Sequence, residues 1–87
     1  MVVKINSYYY LGKKKIITNT WEVEEPNAKE IVLGGDYPNT FKKIKEYLDD
    51  VHFISYYYNC YVNEGIYHVD FGSRTHFIEF YQLYGGN

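Results

Sequence analysis

The sequence predicts an α+β protein: an antiparallel sheet, in the approximate order βββαβββ, with one helix packed on one of its faces. Three observations carry this. One segment alone has helical apolar spacing, six segments are rich in β-branched and aromatic residues, and the turns between the last strands give two hairpin registers that agree with each other. At 87 residues the chain makes a single domain, residues 1–87, because two cores would each be starved of buried surface. With 46% hydrophobic, 21% aromatic and 23% charged residues it is too apolar for a disordered chain.

The helix is expected from about Pro38 to Asp50. Phe41, Ile44, Leu48 and Val51 fall at i, i+3, i+7 and i+10 and so share one stripe, while Lys42, Lys43 and Glu46 form the wet side. Pro38 is tolerated in a first turn, Asp36 or Asn39 can cap it, and Gly34-Gly35 marks the break before it. Strands are expected at Val2 to Leu11, Lys15 to Glu24, Glu30 to Leu33, Phe53 to Val62, Ile66 to Phe71 and His76 to Leu83.

Short turns fix which residues of neighbouring strands face each other. With Ser73-Arg74 at the tip of the last turn, Asp70 lies opposite Phe77, Val69 opposite Ile78 and His68 opposite Glu79. With Asn63-Glu64 at the preceding tip, Tyr61 meets Ile66, Cys60 meets Tyr67 and Tyr58 meets Val69. One face then collects Ile54, Tyr56, Tyr58, Cys60, Val62, Tyr67, Val69, Phe71, Ile78 and Phe80, and is the expected core under the helix. A three-residue Asn63-Glu64-Gly65 loop would instead bring His68 and Asp70 beside Cys60 and Tyr58, and burying that pair costs more than burying Val69 and Phe71. In the amino-terminal hairpin Val3, Ile5, Ser7, Tyr9 and Leu11 alternate with Val2, Lys4, Asn6, Tyr8 and Tyr10, and Ile17, Trp21 and Val23 share a face with Trp21 in or beside the core. Alternation alone leaves open whether this hairpin extends the sheet or covers it.

The second face of the carboxy-terminal strands is the candidate site. Tyr57, Tyr61, Phe77 and Tyr81 form an aromatic surface bordered by Asn59, His68, Asp70 and Glu79. Aromatic patches with a polar rim are characteristic of interaction surfaces, and tyrosine is a favoured anchor there. The expected partner is a protein; a homodimer or an intramolecular second layer would use the same surface. His68, Asp70 and Glu79 on a nearly flat sheet lack the convergence of a metal site, so neither a metal nor a cofactor is expected. Cys60, the single cysteine, excludes an intramolecular disulfide, and its place on the core face argues against a Cys60–His76 nucleophile and base. Ser73 sits in a hairpin turn and not on a strand-to-helix elbow. The chain is therefore read as a non-enzyme.

Charge is uneven. Residues 1–15 hold Lys4, Lys13, Lys14 and Lys15 with no acid, whereas residues 16–36 carry Glu22, Glu24, Glu25, Glu30 and Asp36 against Lys29 alone. A net charge of −2 and one lysine triplet after Gly12 fit a solvated hairpin turn better than a nucleic-acid stripe. Apolar runs such as Ile31-Val32-Leu33 are far shorter than the about 20 residues of a membrane span. Met1 to Asn6 shows no signal-peptide pattern, so a cytoplasmic address is expected.

The alternating aromatic pattern, the richness in Lys, Ile, Asn and Tyr, and the stretch from Ile66 to Ile78 resemble small proteins of phages and mobile elements of low-GC bacteria. Among these the chain is similar in size and style to anti-CRISPR proteins, the inhibitors of Cas effectors. The resemblance implies a stoichiometric inhibitor, acting in the host bacterial cytoplasm, that blocks DNA binding or nuclease movement in a CRISPR effector. The acidic segment from Glu22 to Asp36 would act as a local edge competing for a basic groove, with tyrosines as anchors. The alternative is a single-stranded nucleic-acid binder that stacks bases on Tyr57, Tyr61 and Tyr81, with Lys13 to Lys15 and Arg74 on phosphates. Asp70 and Glu79 on the same face oppose it.

Overall fold

A computed structural model describes residues 1–55 and 58–84. It contains strands β1 (Val2–Leu11) and β2 (Lys14–Glu24), helix α1 (Pro38–Asp50), and strands β3 (Asn59–Asn63), β4 (Ile66–Asp70) and β5 (Phe77–Gln82). The strands form one five-stranded antiparallel sheet in the order β2-β1-β5-β4-β3. The amino-terminal hairpin thus extends the sheet and does not cover it. The chain passes from the β2 edge to the β3 edge through residues 25–37 and α1. No described helix is long and apolar enough to cross a membrane.

Helix α1 spans the expected residues, and Pro38 occupies its first turn. It lies over a core of Val3, Ile5, Ile44, Tyr67, Val69, Ile78 and Phe80, with Trp21, Val23, Leu48, Cys60, Val62 and Phe71 packed at the margin. Phe41 stands edge-on to Tyr67 and Phe80 at 5.9 and 5.6 Å, and Tyr47 covers Trp21 at 4.8 Å. Val51 ends the stripe partly in solvent.

Five expectations are corrected. The sheet has five strands, because residues 30–33 form a loop. That loop is held by Tyr37, whose hydroxyl accepts a bond from the Val32 N–H at 2.8 Å and donates to the Glu30 carbonyl at 2.8 Å, so its polar backbone is satisfied without a strand partner. The helix cap is neither Asp36 nor Asn39: Tyr37 holds the cap position without a side-chain cap bond, and the Glu25 carboxylate arrives from another part of the chain to accept the Thr40 N–H at 2.7 Å. The β3–β4 turn is Glu64-Gly65, with φ of 54° and 77°, so Asn63 faces Ile66, Tyr61 faces His68 and Cys60 faces Val69. A two-residue turn with both φ positive matches the strand twist, and placing glycine second shifts the register by two residues while keeping every side chain on its expected face.

The fourth correction is that β3 begins at Asn59, which leaves Ile54 and Tyr58 outside the core; Tyr58 is 70% exposed. Tyr56, also assigned to the core, lies outside the described residues. The fifth concerns β2. An extra residue at Thr18, where Ser7 faces Asn19 but Tyr8 faces Ile17, turns Ile17 away from Trp21 to the other side of the sheet. Ser7 accounts for the bulge: its Oγ lies 2.6 Å from Thr18 Oγ1 and 3.3 Å from Asn19 Oδ1. The β4–β5 register stands as read, with Asp70 opposite Phe77 and His68 opposite Glu79.

Tyr37 is 2% exposed, and a Cβ on Gly35 would overlap its hydroxyl. Tyr37→Phe keeps the ring but leaves the Val32 N–H and Glu30 C=O without this partner. The expected outcome is a loss of about 1 to 3 kcal/mol in a urea titration, with the helical signal intact below the midpoint.

Candidate functional site

The sheet has two faces and one helix. The parity that sends Val3, Ile5, Tyr67, Val69, Ile78 and Phe80 under α1 sends Lys4, Asn6, Tyr8, Tyr10, Tyr61, His68, Asp70, Phe77, Glu79 and Tyr81 to the opposite side, where no described element covers them. Of the sequence-derived residues, Asn59, Tyr61, His68, Asp70, Phe77, Glu79 and Tyr81 share this face as expected. Tyr57 lies outside the described residues.

Their roles divide. Glu79 is not a rim residue: it is 4% exposed and sits at the centre of a polar network. Its Oε1 accepts from Lys15 Nζ at 2.6 Å and its Oε2 from Asn6 Nδ2 at 3.0 Å, while Asn6 Oδ1 accepts from Thr20 Oγ1 at 2.9 Å. This network ties β2, β1 and β5 together on the helix-free side. Lys15 also lies 4.2 Å from the centre of the Tyr8 ring, so its charge is shared between a carboxylate and an aromatic face. A buried carboxylate is tolerable only with such partners.

Around the network lie two aromatic groups. Tyr8 stacks on Phe77 at 5.3 Å, and Tyr10 stands edge-on to both, at 5.7 Å from Tyr8 and 5.4 Å from Phe77. Tyr61 stacks on His68 at 4.7 Å with ring planes 14° apart. Tyr8 is buried, and desolvation with the Glu79 charge beside it holds its hydroxyl well above the ordinary tyrosine range. Tyr10 and Tyr61 are 47% and 45% exposed and present ring surface outward. Tyr81 is half-buried opposite Lys4 and Ile66. Asp70 spends Oδ1 on the Gly72 N–H at 2.8 Å, a turn bond that leaves it a structural as well as a surface group. Asn59 is exposed at the start of β3.

Sequence reasoning missed Lys4, Asn6, Tyr8, Tyr10, Lys15, Ile17 and Thr20. The signal was present for β1, since burying Val3 and Ile5 forces Asn6, Tyr8 and Tyr10 outward. For Lys15 and Ile17 it was hidden by the bulge at Thr18.

The groups with chemical reactivity are held apart or committed to local bonds. Among the described residues no group of three His, Cys, Asp or Glu side chains could hold a metal ion. Cys60 lies on the helix-covered side of β3, whereas His76 stacks on Phe53 at 4.2 Å. Ser73 Oγ accepts the Thr75 and His76 N–H groups, which commits it to its own turn. Comparisons with family models, with curated proteins and with solved structures return no match, so the face itself carries the functional argument.

His68 Nδ1 is buried with no hydrogen-bond partner among the described residues. Burial pushes the imidazole below its ordinary value; Glu79 opposes this and Lys15 adds to it. The unfolded chain therefore takes up the proton first, so the stability is complete above about 6.5 and is lost as the pH falls through the lower folded value. The expected outcome is a urea midpoint that declines from about pH 7 to about pH 5, with His68→Gln flattening part of that decline. In the neighbouring network Lys15→Met should cost about 1 to 3 kcal/mol by stranding Glu79, and adding Glu79→Gln should restore part of the loss in the same titration.

Proposed function

We propose that this is a non-catalytic binding protein that occupies a surface on a larger protein through the helix-free face of its sheet. The observation that carries the reading is the exposure of Tyr10 and Tyr61 on either side of a network in which Lys15 and Asn6 engage the buried Glu79 carboxylate, with no described element over them. The network holds the strands in place, so the tyrosines stand on a rigid base and lose little side-chain freedom on binding. Asn59, His68, Asp70 and Tyr81 complete the contact surface.

Within that reading we assign the partner to the Cas effectors, with the chain acting as a stoichiometric inhibitor. The support is the sequence resemblance to anti-CRISPR proteins together with the placement of acids beside the aromatic face. Lys4 and Lys15 share that side of the sheet with Glu22, Glu24, Asp70 and Glu79, and Lys15 is already paired. A face of this sign suits a basic groove and repels phosphate. The single-stranded nucleic-acid reading rests on the same tyrosines, and among the described residues Lys4, Lys13, Lys14 and Arg74 are the basic groups near the framing strands and turns that are outside an ion pair.

The test uses the purified chain against a panel of purified Cas effectors, with target cleavage as the readout, and against labelled single-stranded oligonucleotides over a salt series. Inhibition at near-equal stoichiometry is expected, and Tyr10→Ala with Tyr61→Ala should weaken it at least tenfold without lowering the melting temperature, because both rings are half in solvent. Binding to oligonucleotides that fades steeply with salt, and no effect on any effector, would replace this reading with the nucleic-acid one.

A further inference from the structure

We infer that the free edge of β2 pairs antiparallel with the β2 edge of a second copy of this chain, joining two sheets into one about a two-fold axis between Thr18 and Asn19. Strand β2 has β1 on one side and no described strand on the other. Met1 and Glu25 exchange both backbone bonds, each at 2.8 Å, at the end of the β1–β2 ladder. Antiparallel alternation then turns the backbone groups of Val23, Trp21 and Asn19 toward β1 and those of Glu24, Glu22 and Thr20 toward the free edge, where the Glu24 carbonyl already accepts from Asn39 Nδ2 at 2.8 Å and the groups of Glu22 and Thr20 are left for a second strand. Beyond the bulge the outward groups belong to Ile17 and Lys15.

The outward residues are therefore 15, 17, 20, 22 and 24, with one step of three where every other step is two. A regular strand cannot follow that step, which is how a bulge protects an edge from indiscriminate pairing. A second β2, running antiparallel, carries the same step at the opposing point. When Lys15 lies opposite Glu22 of the second copy, Ile17 falls opposite Thr20, the turn that carries Lys13 lies near Glu24, and the two bulges face each other across the axis.

Charge selects the same arrangement. Lys13, Lys14 and Lys15 stand at one end of the edge and Glu22 and Glu24 at the other, all exposed, and among the described residues only Lys15 of these is in an ion pair. A strand whose charge reverses from end to end complements itself only when antiparallel; parallel pairing sets like against like. On the helix side this register brings Ile16 of the second copy beside Trp21, where a cleft of ≈ 310 Å³ lies open between Trp21, Tyr47 and Val51. The pairing leaves Tyr10 and Tyr61 free and does not depend on what they bind.

The test is sedimentation of the full chain from micromolar to millimolar concentration. A monomer–dimer equilibrium is expected. The Glu22 N–H points away from β1, so Glu22→Pro removes no bond within the monomer and should give a folded monomer throughout. Two charge variants, E22K with E24K and K13E with K14E, should each be monomeric alone and form a one-to-one dimer when mixed; they decide the matter if the proline variant does not fold. A wild-type chain that stays monomeric over the whole range, a dimer that persists in Glu22→Pro or in each charge variant alone, or a mixture that does not pair would overturn the inference.

Discussion

A single helix of 13 residues must serve a five-stranded sheet, and it can cover only one face. Every other feature follows from how the uncovered face is made stable in water. The buried apolar side chains sit on the covered side, where Val3, Ile5, Val69, Ile78 and Phe80 lose nearly all contact with solvent, while the open-face aliphatics Ile17 and Ile66 stay in part exposed. On the uncovered side the chain uses residues that combine a broad apolar body with a polar tip, so tyrosine replaces leucine. Glu79 shows the limit of this solution. It lies on the open face and is nevertheless buried, because Tyr8, Lys15 and Asn6 close over it and satisfy it. The open face is thus a thin second core with a polar centre.

The covered face depends on contacts that join distant parts of the chain. Glu25 leaves β2, is buried, and supplies the helix with the acceptor that local residues do not provide. Tyr37 precedes the helix and ties down the loop that carries the chain between the sheet edges, while its ring packs edge-on against Phe80 at 5.5 Å. A residue that caps a turn also fills the core, so helix placement and loop closure form together. That coupling suits a small domain, in which each ordered residue must contribute to more than one contact to offset about 1 to 2 kcal/mol of backbone entropy.

The open face and the free β2 edge are separate surfaces with different chemistry. The face offers ring area with charge held beneath it, a combination suited to a partner's apolar pockets and basic rim. The edge offers backbone groups in an irregular order and a charge gradient along the strand, which discriminate by register. Joining two edges would set two faces side by side in one sheet, so the two readings reinforce each other without either requiring the other.

Much of this architecture was legible in the residues. The spacing of Phe41, Ile44 and Leu48 placed the helix, and the alternation from Cys60 to Phe80 sorted core from open face, because side-chain parity is a local property that survives a shift of register by two. Most of the candidate face followed from the same parity. Tertiary structure alone decided what parity cannot carry. It put β1 beside β5, which brought Asn6, Tyr8 and Tyr10 next to Glu79; it inserted Thr18 as an extra residue, which turned Lys15 and Ile17 onto the open face; and it replaced an expected strand at residues 30–33 with a loop bound to Tyr37. Each of these rests on a contact between residues far apart in the chain, and the energy of such a contact has no trace in the periodicity of either segment.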